Sequence, residues 1–184
     1  GADAWGASYT TATQTVFYVW NNRPVQLEVT SDTTGENVFG DEYTSHSDLF
    51  YQYYSLAESP KHVLGQLKDV ITLANWTEGT DAYGATYVTD TQTGFEIINN
   101  RPFQKVVTAY TTGENLFGDT YITTSTTTYE NNGYKLDEDG KPTAELEDPA
   151  KKLGAILSTS GTSLTTGADA WGASYTTATQ TVFY

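Results

Sequence analysis

The chain holds only two arginines, Arg23 and Arg101, and the same acids follow each of them at the same offsets. Glu36 and Asp41 follow Arg23; Glu114 and Asp119 follow Arg101. A guanidinium is a planar, permanently charged fork that meets a carboxylate through two parallel hydrogen bonds. One chemistry that follows is a structural clamp, in which each arginine ties a hairpin to the turn behind it. The other is capture of an acidic ligand or a sugar in each copy. The clamp is the expectation, because all its members recur together.

Aromatic rings form the second set. Trp5, Trp20, Tyr83 and Trp76 are candidates for stacking on sugar rings. Trp5, Tyr83 and Trp171 share one repeat position, where a plug in a core is expected ahead of a ligand platform.

Oxygen donors form the third. Glu36, Asn37 and Asp41, and separately Asp137, Glu138 and Asp139, carry oxygens that calcium favours. That ion needs roughly six to eight oxygens on a curved loop, and neither stretch follows the EF-hand spacing. No cofactor is expected; calcium is the one ion these donors suit. With no Cys, disulfides and Cys-ligated zinc are excluded. His46 and His62 have no counterparts in the second copy, and His46, between Ser45 and Ser47, reads as an exposed loop residue. No phosphate-cradling glycine loop or nucleophile elbow is present. An enzyme is not expected. Internal Thr–Gln or Lys–Asn crosslinks are a further chemistry: Gln14 and Gln92 recur beside threonines, whereas Lys105 has no copy in the first repeat.

The elements that position these residues come from repetition. Asn21-Asn22-Arg23-Pro24 leads to Thr33-Thr34-Gly35-Glu36-Asn37 and Phe39-Gly40-Asp41. The same signals return 78 residues later, from Asn99-Asn100-Arg101-Pro102 to Phe117-Gly118-Asp119, and residues 167–184 repeat residues 1–18 letter for letter. Repeat A is expected over 1–78 and repeat B over 79–166, with 167–184 the truncated start of a further A that completes the sheet of B. Residues 13–20 and 25–30 alternate as strands do, and the Asn pairs between them suit a two-residue hairpin, since Asn tolerates positive φ. Phe17, Val19, Phe95 and Ile97 are assigned to the inward face. Ser59-Pro60 and Asp148-Pro149 are helix-start signals. They predict helices over about 60–74 and 149–158, with an inserted hairpin over about 129–147 in repeat B. The expected fold is therefore mainly β to α+β: two tandem homologous repeats, each an antiparallel sheet with one short covering helix.

A net charge of −14 argues against nucleic acid and against anionic membranes, which need a basic partner surface. No run is long and apolar enough for membrane insertion. The absence of Met reads as a piece of a longer protein. These features together predict a non-catalytic structural or adhesive module of an extracellular tandem-array protein, at a cell surface or secreted: a stalk, adhesin or filament subunit. Its expected partners are neighbouring repeats, other copies through strand exchange, and host or surface glycans. The opposing expectation is a glycan-binding module using the aromatics above. A threonine face for ice or another ordered surface is a third, resting on residues 123–128 alone.

Overall fold

The computed structural model describes residues 1, 6–20, 22–55, 65–136, 138 and 142–183. Its main body is one nine-stranded antiparallel sheet. The strands are β1 (Ser8–Trp20), β2 (Arg23–Glu36), β3 (Glu42–Tyr53), β4 (Leu67–Thr80), β5 (Thr86–Ile98), β6 (Arg101–Glu114), β7 (Thr120–Asn131), β10 (Ile156–Ala168) and β11 (Ser174–Phe183). They lie side by side in chain order. Between β7 and β10 the chain leaves the sheet and forms a separate hairpin, β8 (Tyr134–Leu136) with β9 (Pro142–Leu146).

Local chemistry explains the long hairpins. β5 and β6 are joined by Asn99 and Asn100 alone, at φ 50° and 63°. Two consecutive positive φ values match the right-handed twist of the strands they join. Asn22 takes φ 60° at the equivalent turn.

The expectation of a mainly β, antiparallel chain holds. The covering helices do not, and no helix occurs among the described residues. Residues 60–64 of the 60–74 prediction fall outside the described residues, but from Leu67 onward the chain is β4. Val70, Ile71 and Thr72 are β-branched and pair with β3, which favours a pleated strand over a helix. At 149–158, Asp148 makes one cap-like turn, its Oδ1 accepting from Ala150 N at 2.9 Å. Only isolated turns form there, Lys151 N donating to Asp148 O and Ala155 N to Lys152 O, while the carbonyls of Asp148, Lys151 and Lys152 are also drawn to the side chain of Asn132. Gly154 then turns the chain at φ 78°. Nor do the halves form two sheets: the expected boundary at 78/79 falls inside β4 and that at 166/167 inside β10.

No second layer packs on the main sheet among the described residues. The exposed surface is 12246 Å², against roughly 8,700 Å² for a compact protein of this mass. The inward assignments consequently fail on β1, where Phe17 is 57% and Val19 66% exposed; there is no interior for them to face. Phe95 and Ile97, between two strands, are half-buried. Among the described residues, Leu67, Val70, Thr72, Asn131 and Asn132 are the buried ones. Cohesion must therefore come mostly from strand pairing and cross-strand side-chain contacts.

Candidate functional site

Antiparallel register places directly opposed residues on one face, so rows can be read across the strands. One row runs Tyr9, Gly35, Tyr43, Gly79, Tyr87, Gly113, Tyr121, Gly167, Tyr175. Tyr9 leans over Gly1, and each later tyrosine leans over the glycine of the preceding strand: a Cβ on Gly35 would lie 2.5 Å from Tyr43 Cζ. The glycines are thus required by the rings that cover them, an arrangement that stabilises glycine within a strand.

The adjacent row on that face is Thr11, Thr33, Ser45, Thr77, Thr89, Thr111, Thr123, Thr165, Thr177. Every one of the nine strands contributes a hydroxyl. Thr11 bonds Thr33 at 2.9 Å, Thr89 bonds Thr111 at 2.8 Å, and Thr123 bonds Thr165 at 2.8 Å. Neither row contains a charge. Acids stand on the opposite face, among them Glu36 directly across from Glu42, and Asp32, Asp48, Glu78 and Asp90. The run 123–128 that suggested a threonine face alternates between the two faces; the hydroxyl line crosses strands instead of following it.

One end of the sheet carries a second series. Four turns share a plan: Asn37 to Asp41, Asp81 to Ala85, Asn115 to Asp119 and Asp169 to Ala173. In each, the first side-chain oxygen accepts from the third and fifth backbone amides. The fourth residue is a glycine at positive φ, and the third is an aromatic held at the tip. Phe39, Tyr83, Phe117 and Trp171 are 74–88% exposed and stand two strands apart, about 9.5 Å. Asp41 latches the first turn to the second, its Oδ1 accepting from Ala82 N at 2.9 Å; Asp119 does the same to Ala170 N at 2.9 Å.

The arginine clamp is overturned by this geometry. Arg23 and Glu36 are the two ends of β2, thirteen residues or about 43 Å apart; Arg101 and Glu114 are likewise the two ends of β6. Asp41 and Asp119 serve the turns, not the arginines. The oxygens proposed for calcium at Asn37 and Asp41 are taken by hydrogen bonds within and between turns. No three His, Asp or Glu side chains converge for a metal among the described residues. Asp137 and Asp139 lie outside the described residues.

The ring candidates are not gathered. Tyr83 is a turn tip, 79% exposed. Trp20 meets Tyr18 edge-on at 6.1 Å and borders an open groove with Val25, Leu27 and Phe50. Trp76 stacks on His46 at 5.8 Å. Trp5 lies outside the described residues. His46 is in β3 and not in a loop, with Nδ1 2.7 Å from Asp32 Oδ1. The tyrosine row and two of the four exposed turn aromatics, Phe39 and Phe117, were not singled out from sequence; the signal was their recurrence at equivalent repeat positions.

The fold and these rows define a single-layer antiparallel meander with one acidic and one uncharged face. No protein-family model, no curated protein and no solved structure matches the chain. Among the described residues no helix is long and apolar enough to cross a membrane.

Proposed function

We propose that this chain is a non-catalytic structural and adhesive module of an extracellular tandem-array protein, whose repeats add strands to a common sheet. One observation carries the reading: residues equivalent between repeats fall on the same rows across all nine strands. Further repeats would extend those rows without a new interface, and β1 and β11, the two outermost strands of the sheet among the described residues, are where strands of neighbouring repeats or other copies would add. The test is to compare this chain with one carrying an additional repeat by small-angle scattering. Four more strands should lengthen the particle by about 19 Å. Growth of a separate compact lobe would refute it.

A second reading, glycan binding, is favoured by the uncharged face. Rings laid flat beside a continuous hydroxyl line supply a stacking surface and hydrogen-bonding groups together. Both rows are lines, which suits an extended neutral polysaccharide. Pull-down on insoluble neutral polysaccharides should retain the chain and lose the Tyr87→Ala/Tyr121→Ala double variant. Equal retention of both, or of neither, removes this reading. Inhibition of ice growth without polysaccharide retention would assign the hydroxyl line to ordered water instead.

A further inference from the structure

Three side chains at the other end of the sheet stand apart from both series. Glu96 of β5 accepts from Asn131 Nδ2 at 2.8 Å through Oε1, and its Oε2 lies 3.8 Å from Lys105 Nζ. One carboxylate thus touches both an amine and a carboxamide. Asn131 is 8% exposed, and its Nδ2 also donates to Gln104 O at 2.7 Å. That carbonyl belongs to the peptide unit leading into Lys105, so the amide stands at the root of the lysine side chain. Both Nδ2 partners are acceptors, which fixes the orientation of the amide. The chain breaks register between Gly94 and Phe95, leaving Lys105 without an opposed residue on β5.

Repetition offers an internal comparison. Seventy-eight residues earlier the three positions are Tyr18, Leu27 and Tyr53. They border a groove, and Tyr53 Oη donates to Gln26 O at 2.7 Å, the counterpart of the Asn131 bond to Gln104. An uncharged trio of two tyrosines and a leucine in one half is replaced, at all three positions together, by acid, amine and amide in the other.

We propose that Lys105 and Asn131 join in an intramolecular isopeptide bond, with Glu96 carrying the proton. Glu96 takes a proton from the lysine ammonium, which frees the Nζ lone pair. Nζ attacks Asn131 Cγ and forms a tetrahedral intermediate. The protonated Glu96 then donates to Nδ2, the Cγ–Nδ2 bond breaks and ammonia leaves, while the second proton that Nζ still carries passes through Glu96 to the ammonia and departs with it as ammonium. Lysine ammonium plus asparagine amide gives a secondary amide plus ammonium, with no oxidant or cofactor. The product ties β6 covalently to the end of β7, in a sheet that has almost no core to hold it.

The test is the intact mass of the purified full chain, followed by peptide mapping. The wild type should be lighter than its sequence mass by one ammonia and give a branched peptide linking Lys105 to Asn131. Lys105→Arg and Glu96→Gln should both keep the full mass; Lys105 is an exposed side chain, so its replacement leaves the fold intact. A wild-type chain at full mass after prolonged incubation would overturn the proposal. So would an ammonia loss that persists in Lys105→Arg, because that identifies cyclisation at Asn132-Gly133 as its source.

Discussion

Asn132 offers the sharpest test of how the excursion between β7 and β10 is held. It is the most buried residue described, at 0% exposure. Its Nδ2 carries two hydrogens and meets three carbonyls, those of Asp148 at 2.9 Å, Lys151 at 3.0 Å and Lys152 at 3.2 Å. Its Oδ1 accepts from Asp148 N at 2.9 Å. Asn132→Ala removes about three bonds' worth of pairing and leaves buried partners unsatisfied. At about 1 kcal/mol per bond the loss is about 3 kcal/mol. In a chain of this length that lowers Tm by roughly 6–12 °C if unfolding is a single transition. If the excursion opens by itself, the loss appears instead as faster hydrogen exchange at the amides of Asp148, Gly154 and Ala155. Asn132→Asp should be worse than Ala, since it turns a second acceptor toward three carbonyls and buries a charge without a cation. Calorimetry together with amide exchange reads both outcomes. An Ala variant with wild-type Tm and wild-type exchange at those amides, or an Asp variant more stable than Ala, refutes the reasoning.

Other expectations follow from the turns, the glycines and one phenol. Asp41→Ala and Asp119→Ala each lose a bond to the first residue of the turn and a latch to the next turn, costing about 1–2 kcal/mol apiece in urea unfolding; being four strands apart, the two losses should add. Gly113→Ala places a methyl where the Tyr121 ring lies and should cost about 1 kcal/mol, whereas Gly133→Ala meets nothing within 4 Å and should leave Tm near wild type. Tyr53 has its pKa raised, first by burial and then by the charge of Tyr51, so its neutral form is favoured in the fold. Its contribution to stability is complete below the unfolded value of roughly 10 and is lost as pH rises through the higher folded value. A pH series of melts should show that alkaline decline, and Tyr53→Phe should reduce it.

Strands were legible where a single chain segment carried the signal. Residues 25–30 alternate, and the Asn pairs name their own turns, so the long hairpins could be drawn from sequence. The helix over 60–74 was misread because Val63, Leu64, Leu67, Val70 and Ile71 satisfy helical spacing, while Val70, Ile71 and Thr72 equally suit a strand. Only pairing with β3 decides between them, and pairing is not local information. The arginine clamp failed for a related reason. Arg23 and Glu36 travel together in the repeat because they bound one strand, and two ends of a strand cannot touch. The hydroxyl line was invisible for the opposite reason: each strand gives it one residue, and the line exists only once nine registers are known. Asn132, which looks like half of an Asn-Gly turn, is instead the buried peg of the excursion; sequence gives the same letters for both. Glu96, Lys105 and Asn131 were reachable in principle, by asking which positions change together between copies.

Repetition in this chain does two separable things. Where the copies agree, at the Tyr–Gly row, the hydroxyl line and the Asx turns, rings cover glycines, hydroxyls oppose one another across strands and carboxylates latch turn to turn, and the agreement builds a sheet that can hold without a second layer. Where they disagree, at Tyr18/Glu96, Leu27/Lys105 and Tyr53/Asn131, the change is concerted and exchanges packing for reactive groups at the end of the sheet farthest from the turns. A single-layer sheet has few buried contacts to resist strand separation, so its weak point is the end where loops splay the strands apart. The turn end is already latched by Asp41 and Asp119 through hydrogen bonds. A covalent tie between β6 and β7 would secure the opposite end. On this reasoning Lys105→Arg should accelerate amide exchange at the ends of β6 and β7 near Gln104 and Asn131, while leaving the amides of Ala82 and Ala170, held by the turn latches, unchanged.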